Sequence, residues 1–140
     1  MKEIIFVCTG NTCRSPLAES YAKTMYEDFT FSSRGLFVMS RETSINSLKI
    51  IEREHLYFPS LPKQLSLEDI ENAVLLTMTE DHKRQILNQE PQAKVLTIGE
   101  AAGEYQDVSD PFGGSESDYE YTFSELRRLI DKIDFETVIF

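Results

Sequence analysis

Basic residues are scarce in this chain: 14 Lys or Arg stand against 24 Asp or Glu, for a formal charge of −10. No local basic patch offsets that excess, so neither nucleic acid nor an anionic membrane surface is an expected partner. Cysteines number only two, too few for a disulfide framework. In a reducing compartment they point to chemistry before bridging. Long hydrophobic runs are missing as well. Ile4-Ile5-Phe6-Val7-Cys8 is among the longest, far short of a membrane span or a signal-peptide core, and a cytoplasmic location is expected. The two histidines, His55 and His82, read as surface helix residues, and with the cysteines they match none of the usual zinc spacings. No metal and no other cofactor is therefore expected. Repeats, low-complexity tracts and linkers are absent too. The 140 residues, 41% of them hydrophobic, read as one domain spanning 1–140 with a core of its own.

Short apolar runs bounded by turn residues recur at Ile4–Cys8, Val74–Met78 and Val95–Ile98, with a weaker run around Phe29–Ser32. They read as buried strands. Helical stripes lie between them: Leu17, Ala18, Tyr21, Ala22 and Met25; Ile45, Leu48, Ile51 and Leu56; shorter stretches at Leu67–Ile70 and Asp81–Leu87; and Phe123, Leu126, Ile130 and Ile133 within Tyr119–Ile133. This alternation predicts an α/β three-layer sandwich, a parallel sheet with helices on both faces and ligand sites past the carboxyl ends of the strands. Ser15 before Pro16 predicts an N-cap and helix start, and Ser117 with Glu120 has capping-box form for the last helix. The connection from Gly99 to Glu116 is long and acidic, and such loops are often functional.

Between the first strand and first helix runs Cys8-Thr9-Gly10-Asn11-Thr12-Cys13-Arg14-Ser15. A sharp turn there aims successive backbone N–H groups inward with a helix dipole behind them, which makes an anion cradle. It is not the nucleotide-binding type, because no Gly-Lys-Ser/Thr ending follows. A thiol sits at its base and a guanidinium at its rim. Arg14 can grip two oxygens of a phosphoryl group, and the positive surroundings favour the thiolate, the form of Cys8 that attacks phosphorus.

The Cys-x5-Arg-Ser pattern at a strand–loop–helix junction resembles the signature of the low-molecular-weight protein tyrosine phosphatases. The resemblance implies a four-stranded parallel sheet in the order 2-1-3-4. It also implies Cys8 as nucleophile, Arg14 as phosphoryl ligand, Ser15 as the hydroxyl that stabilises the thiolate and Asn11 as the residue that shapes the loop. Thr9, Gly10, Thr12 and Cys13 complete the substrate-binding loop. The family carries its general acid in a late Asp-Pro pair, and Asp110-Pro111-Phe112 fits. Two departures from the tyrosine-specific pattern resemble the protein-arginine phosphatase branch: Thr12 stands where a branched aliphatic residue is usual, and Phe112-Gly113-Gly114 lacks the second aromatic after Asp-Pro. Phe37 and Phe112 are then the expected walls against a planar guanidinium. Phosphorylated proteins are the implied partners and phosphoarginine the implied substrate, with phosphotyrosine hydrolysis and a non-catalytic phosphate-binding or thiol-switch module as the alternatives. Arsenate reduction is disfavoured because no cysteine follows Cys13. Relatives with paired loop cysteines imply a redox pair of Cys8 and Cys13. Arg34 replaces a residue that is often small in the family.

Overall fold

The structure, a computed structural model, describes residues 2–139. Four strands, β1 (Glu3–Cys8), β2 (Phe31–Gly35), β3 (Ala73–Thr77) and β4 (Val95–Thr97), pair only in parallel, in the order β2-β1-β3-β4. The expected sheet and its order are therefore present. The weaker second run lies a few residues later than its apolar signal, because Ser32, Ser33 and Arg34 are buried strand residues whose polarity hid them.

Alternation along β1 divides the core in two. Ile4, Phe6 and Cys8 face a cluster built with Leu17, Ala18 and Tyr21 of α1 (Arg14–Met25), Ile50 and Ile51 of α2 (Ile45–Arg53), and Phe123, Leu126 and Ile130 of α6 (Glu116–Ile130). Ile5 and Val7 face the other way, toward Leu75, Ile70 of α3 (Leu67–Asn72) and Ile86 of α4 (Glu80–Gln89). A period of two on the strand thus becomes one helical layer on each face. A short α5 (Ile98–Ala101) interrupts the long connection, and the tail folds into α7 (Phe135–Val138), whose Phe135 meets Phe31 with ring centroids 5.0 Å apart. No helix among the described residues is long and apolar enough to cross a membrane.

Both expected caps need correction. α1 begins at Arg14, one residue before Ser15, with no side-chain cap at Cys13. The Ser15 hydroxyl is engaged with Cys8 and Asn11 instead, and Pro16 is tolerated because first-turn N–H groups have no intrahelical acceptor. α6 is capped by Ser115 with Asp118, not by Ser117 with Glu120. An aspartate at the third position closes the box as a glutamate would.

Gly35 ends β2 directly opposite Cys8. A Cβ there would lie 2.8 Å from the Thr9 carbonyl oxygen and 3.0 Å from the Asn11 nitrogen. The loop after β1 can lie against the end of β2 only because this residue has no side chain.

Candidate active site

The loop closes at the carboxyl edge of the sheet, where Cys8 leaves β1 and Arg14 enters α1. Asn11, fully buried at its centre, adopts a left-handed φ of 58°, which Asn tolerates better than most residues. The Lys63 backbone N–H can only donate, and at 2.9 Å it fixes Asn11 Oδ1. Asn11 Nδ2 therefore faces two hydroxyls, donating to Ser15 Oγ at 2.8 Å and to Ser33 Oγ at 2.9 Å. Ser15 Oγ also lies 2.9 Å from Cys8 Sγ, and toward a thiolate the hydroxyl can only donate. Ser33 passes the chain on, donating to Glu19 Oε1 at 2.5 Å. Glu19 has no exposed surface, and its charge is offset by Lys23 and by both the N–H and hydroxyl of Ser60.

Above the sulfur is a cavity of about 310 Å³ lined by Cys8, Thr9, Gly10, Thr12, Cys13 and Arg14 on the loop side, and by Phe37, Met39, Ser40, Asp110 and Phe112 on the other. Arg14 is 5% exposed. Its Nη1 donates to the Val108 carbonyl at 3.1 Å, and Nη2 stands 3.5 Å from Asp110 Oδ2. Asp110 also accepts the Phe112 N–H at 3.1 Å, the local turn expected of Asp before Pro. Phe37 and Phe112, 66% and 78% exposed, stand as free rings at the mouth. Every residue expected at the site lines this cavity except Asn11 and Ser15, which support the loop from beneath.

Cys8 and Cys13 are both free thiols and buried. Cys13 Sγ lies 3.3 Å from the Tyr119 hydroxyl and 3.6 Å from Thr12 Oγ1. Burial, followed by the contact with Cys13, pushes the Tyr119 phenol up to about 12. Arg34 neither lines nor crowds the cavity: its Nε donates to Asp69 Oδ2 at 3.0 Å, an ion pair that ties β2 to α3.

Of the two histidines, His55 is exposed as expected and His82 is not. His55 follows α2 in a left-handed turn with φ 56°. His82 is 4% exposed, and its Nε2 is 2.9 Å from Thr9 Oγ1. Burial, and then the charge of Arg14, push it down to about 4, so a neutral imidazole supports the loop at pH 7. Nothing in its sequence neighbourhood separates it from a surface helix residue. Met39 and Ser40, which also line the cavity, carry no sequence signal of it. Glu19 carries no such signal either, since it lies beside the apolar stripe of α1 and not in it.

An anion cradle with a thiol at its base, an arginine at its rim and a carboxylic acid opposite is the working part of a cysteine-dependent phosphatase. Comparison with known proteins agrees. The family model described as low molecular weight phosphotyrosine protein phosphatase matches residues 3–137, and the chain belongs to that family and is a cysteine-dependent phosphoprotein phosphatase. It is 45% identical over 132 residues, 93% of this chain and 96% of the relative, to the low molecular weight protein-tyrosine-phosphatase PtpB of Staphylococcus haemolyticus. Among solved structures, YwlE arginine phosphatase from Geobacillus stearothermophilus superposes with a TM-score of 0.88 at 33% identity, covering 94% of this chain and 90% of that one. A mutant of YwlE arginine phosphatase bearing a phosphorylated active-site serine gives a TM-score of 0.87 at 35% identity, covering 93% of this chain and 91% of that one.

Proposed function

We propose that this enzyme is a protein-arginine phosphatase. Cys8 Sγ attacks phosphorus as the P–N bond breaks, Arg14 holds the phosphoryl oxygens, and Asp110 gives its proton to the departing guanidine nitrogen. Water, deprotonated by Asp110, then cleaves the S–P bond and releases phosphate. Guanidine is strongly basic and leaves poorly unless protonated, so the acid matters more here than for a phenol.

The observation that carries the specificity is Thr12, whose side chain lines the cavity beside Cys13. Its hydroxyl offers polar contact where a hydrocarbon wall would suit a phenyl ring. Phe112 is followed by Gly113 and Gly114, so the mouth offers two separate rings, Phe37 and Phe112, for a planar cation to stack against. The likeness to YwlE arginine phosphatase supports this reading. The second reading, phosphotyrosine hydrolysis, is favoured by the names of the staphylococcal relatives. Turnover of matched phosphoarginine and phosphotyrosine peptides decides between them. A higher kcat/KM on phosphoarginine is expected, and a clear preference for phosphotyrosine overturns the assignment.

A further inference from the structure

Between α5 and α6, residues 102–115 form neither helix nor strand, yet this segment must hold Asp110 at a fixed distance from Cys8. Val108 is buried in the core and tied through its backbone, its N–H donating to the Met78 carbonyl at 2.9 Å and its own carbonyl accepting from Arg14. Ser109 is held differently. Its N–H donates to Glu125 Oε1 at 3.1 Å and its hydroxyl donates to the same oxygen at 2.5 Å. The Ser109 and Thr122 hydroxyl oxygens lie 2.9 Å apart, and Thr122 Oγ1 donates to the Ser109 carbonyl at 3.3 Å. Gln106 Nε2 donates to Glu125 Oε2 at 2.9 Å.

Thr122 and Glu125 sit one turn apart on α6 and are 0% and 7% exposed. A carboxylate is costly to bury unless donors face it. Of the three donors facing Glu125, two belong to Ser109, the residue joined by one peptide bond to Asp110.

We propose that Glu125, assisted by Thr122, is a positioning residue for the general acid: by gripping Ser109 it sets where the Asp110 carboxyl stands over the Cys8–Arg14 cradle. The proposal rests on the catalytic roles given above. Its consequence is selective. A displaced acid slows departure of groups that need a proton and spares those that leave as stable anions. A loop tether that served stability alone would, when cut, weaken every substrate alike.

The test is kcat/KM for p-nitrophenyl phosphate, phenyl phosphate and a phosphoarginine peptide, with Glu125→Met, Glu125→Gln, Thr122→Val and Asp110→Asn proteins whose folding is checked by circular dichroism. Glu125→Met removes the acceptors at similar volume. It should lose about tenfold or more on phenyl phosphate and phosphoarginine, and under about threefold on p-nitrophenyl phosphate. Glu125→Gln, which keeps an acceptor for Ser109, should recover to within about threefold of the parent on all three. If Glu125→Met does not fold, Thr122→Val decides the matter, with an expected selective loss of about threefold on the poor leaving groups. Equal loss on all substrates, or no loss, overturns the positioning role. Asp110→Asn separates the two layers: a selective loss there without one at Glu125 or Thr122 leaves the catalytic reading standing and removes this inference. No selective loss at Asp110 removes both.

Discussion

Replacing Asn11 with alanine should damage stability and activity together, and the size follows from its contacts. Three hydrogen bonds at 2.8 to 2.9 Å disappear, each worth about 1 kcal/mol net and more where a buried partner is orphaned. Alanine in the left-handed region adds about 1–2 kcal/mol. Together these remove about 4–5 kcal/mol of a total that is about 5–15 kcal/mol for a small domain, a fall of about 10–15 °C in Tm. Asn11→Gly loses the same bonds but accepts the φ of 58°. The entropy it adds to the unfolded chain, about 0.4–1 kcal/mol, offsets part of that relief, so Gly should exceed Ala by about 0.5–1 kcal/mol. Urea unfolding of the three proteins measures these differences. In both variants kcat/KM should also fall, by about a hundredfold, because Ser15 is no longer aimed at the sulfur. An Ala variant within about 1 kcal/mol of the parent, or one more stable than Gly, would refute the view that Asn11 holds the loop.

His82, pushed down to about 4 from 6.5, makes the fold acid-sensitive. Between those values the unfolded chain binds a proton that the folded chain refuses, so stability falls as pH drops through that window, by up to about 3 kcal/mol. His82→Gln should flatten the curve measured by urea unfolding at pH 7.5 and 4.5, and parallel curves would contradict the assignment. Thr12→Ile should shift the ratio of phosphotyrosine to phosphoarginine kcat/KM upward by about tenfold, one polar contact's worth; an unchanged ratio would show that Thr12 does not discriminate. Peroxide should drive Cys8 and Cys13 into a disulfide that dithiothreitol reverses and peptide mass spectrometry detects. In Cys13→Ser the same treatment should cause loss that dithiothreitol cannot restore, and full recovery of that variant would refute the pairing.

The parts legible in the sequence are those in which one segment carries its own signal. β1 announces itself by an apolar run, and the loop that lines the cavity by the spacing of Cys8, Arg14 and Ser15. Asp110 is marked by its proline. The support beneath the loop is not legible, because it is assembled across the fold. Ser33 comes from β2, Glu19 from α1, Ser60 and the Lys63 N–H from the segment before α3, and His82 from α4. Their buried polarity makes sense only once the partners are adjacent. The same fact displaced the expected second strand, whose serines look like loop residues until Asn11 and Glu19 are found to need Ser33. Ser15 reads as a cap by local rules, and tertiary contact with Cys8 overrides them.

With Cys8 as nucleophile, its sulfur takes the phosphoryl group during turnover. The direct measurement is a rapid denaturing quench of the enzyme during turnover of p-nitrophenyl phosphate, followed by peptide mass spectrometry, with Cys8→Ala as the control. A phosphoryl group on the peptide that contains Cys8, together with loss of p-nitrophenol release in Cys8→Ala, is the expected result. Phosphorylation of any other residue, or turnover that survives in Cys8→Ala, would contradict the account.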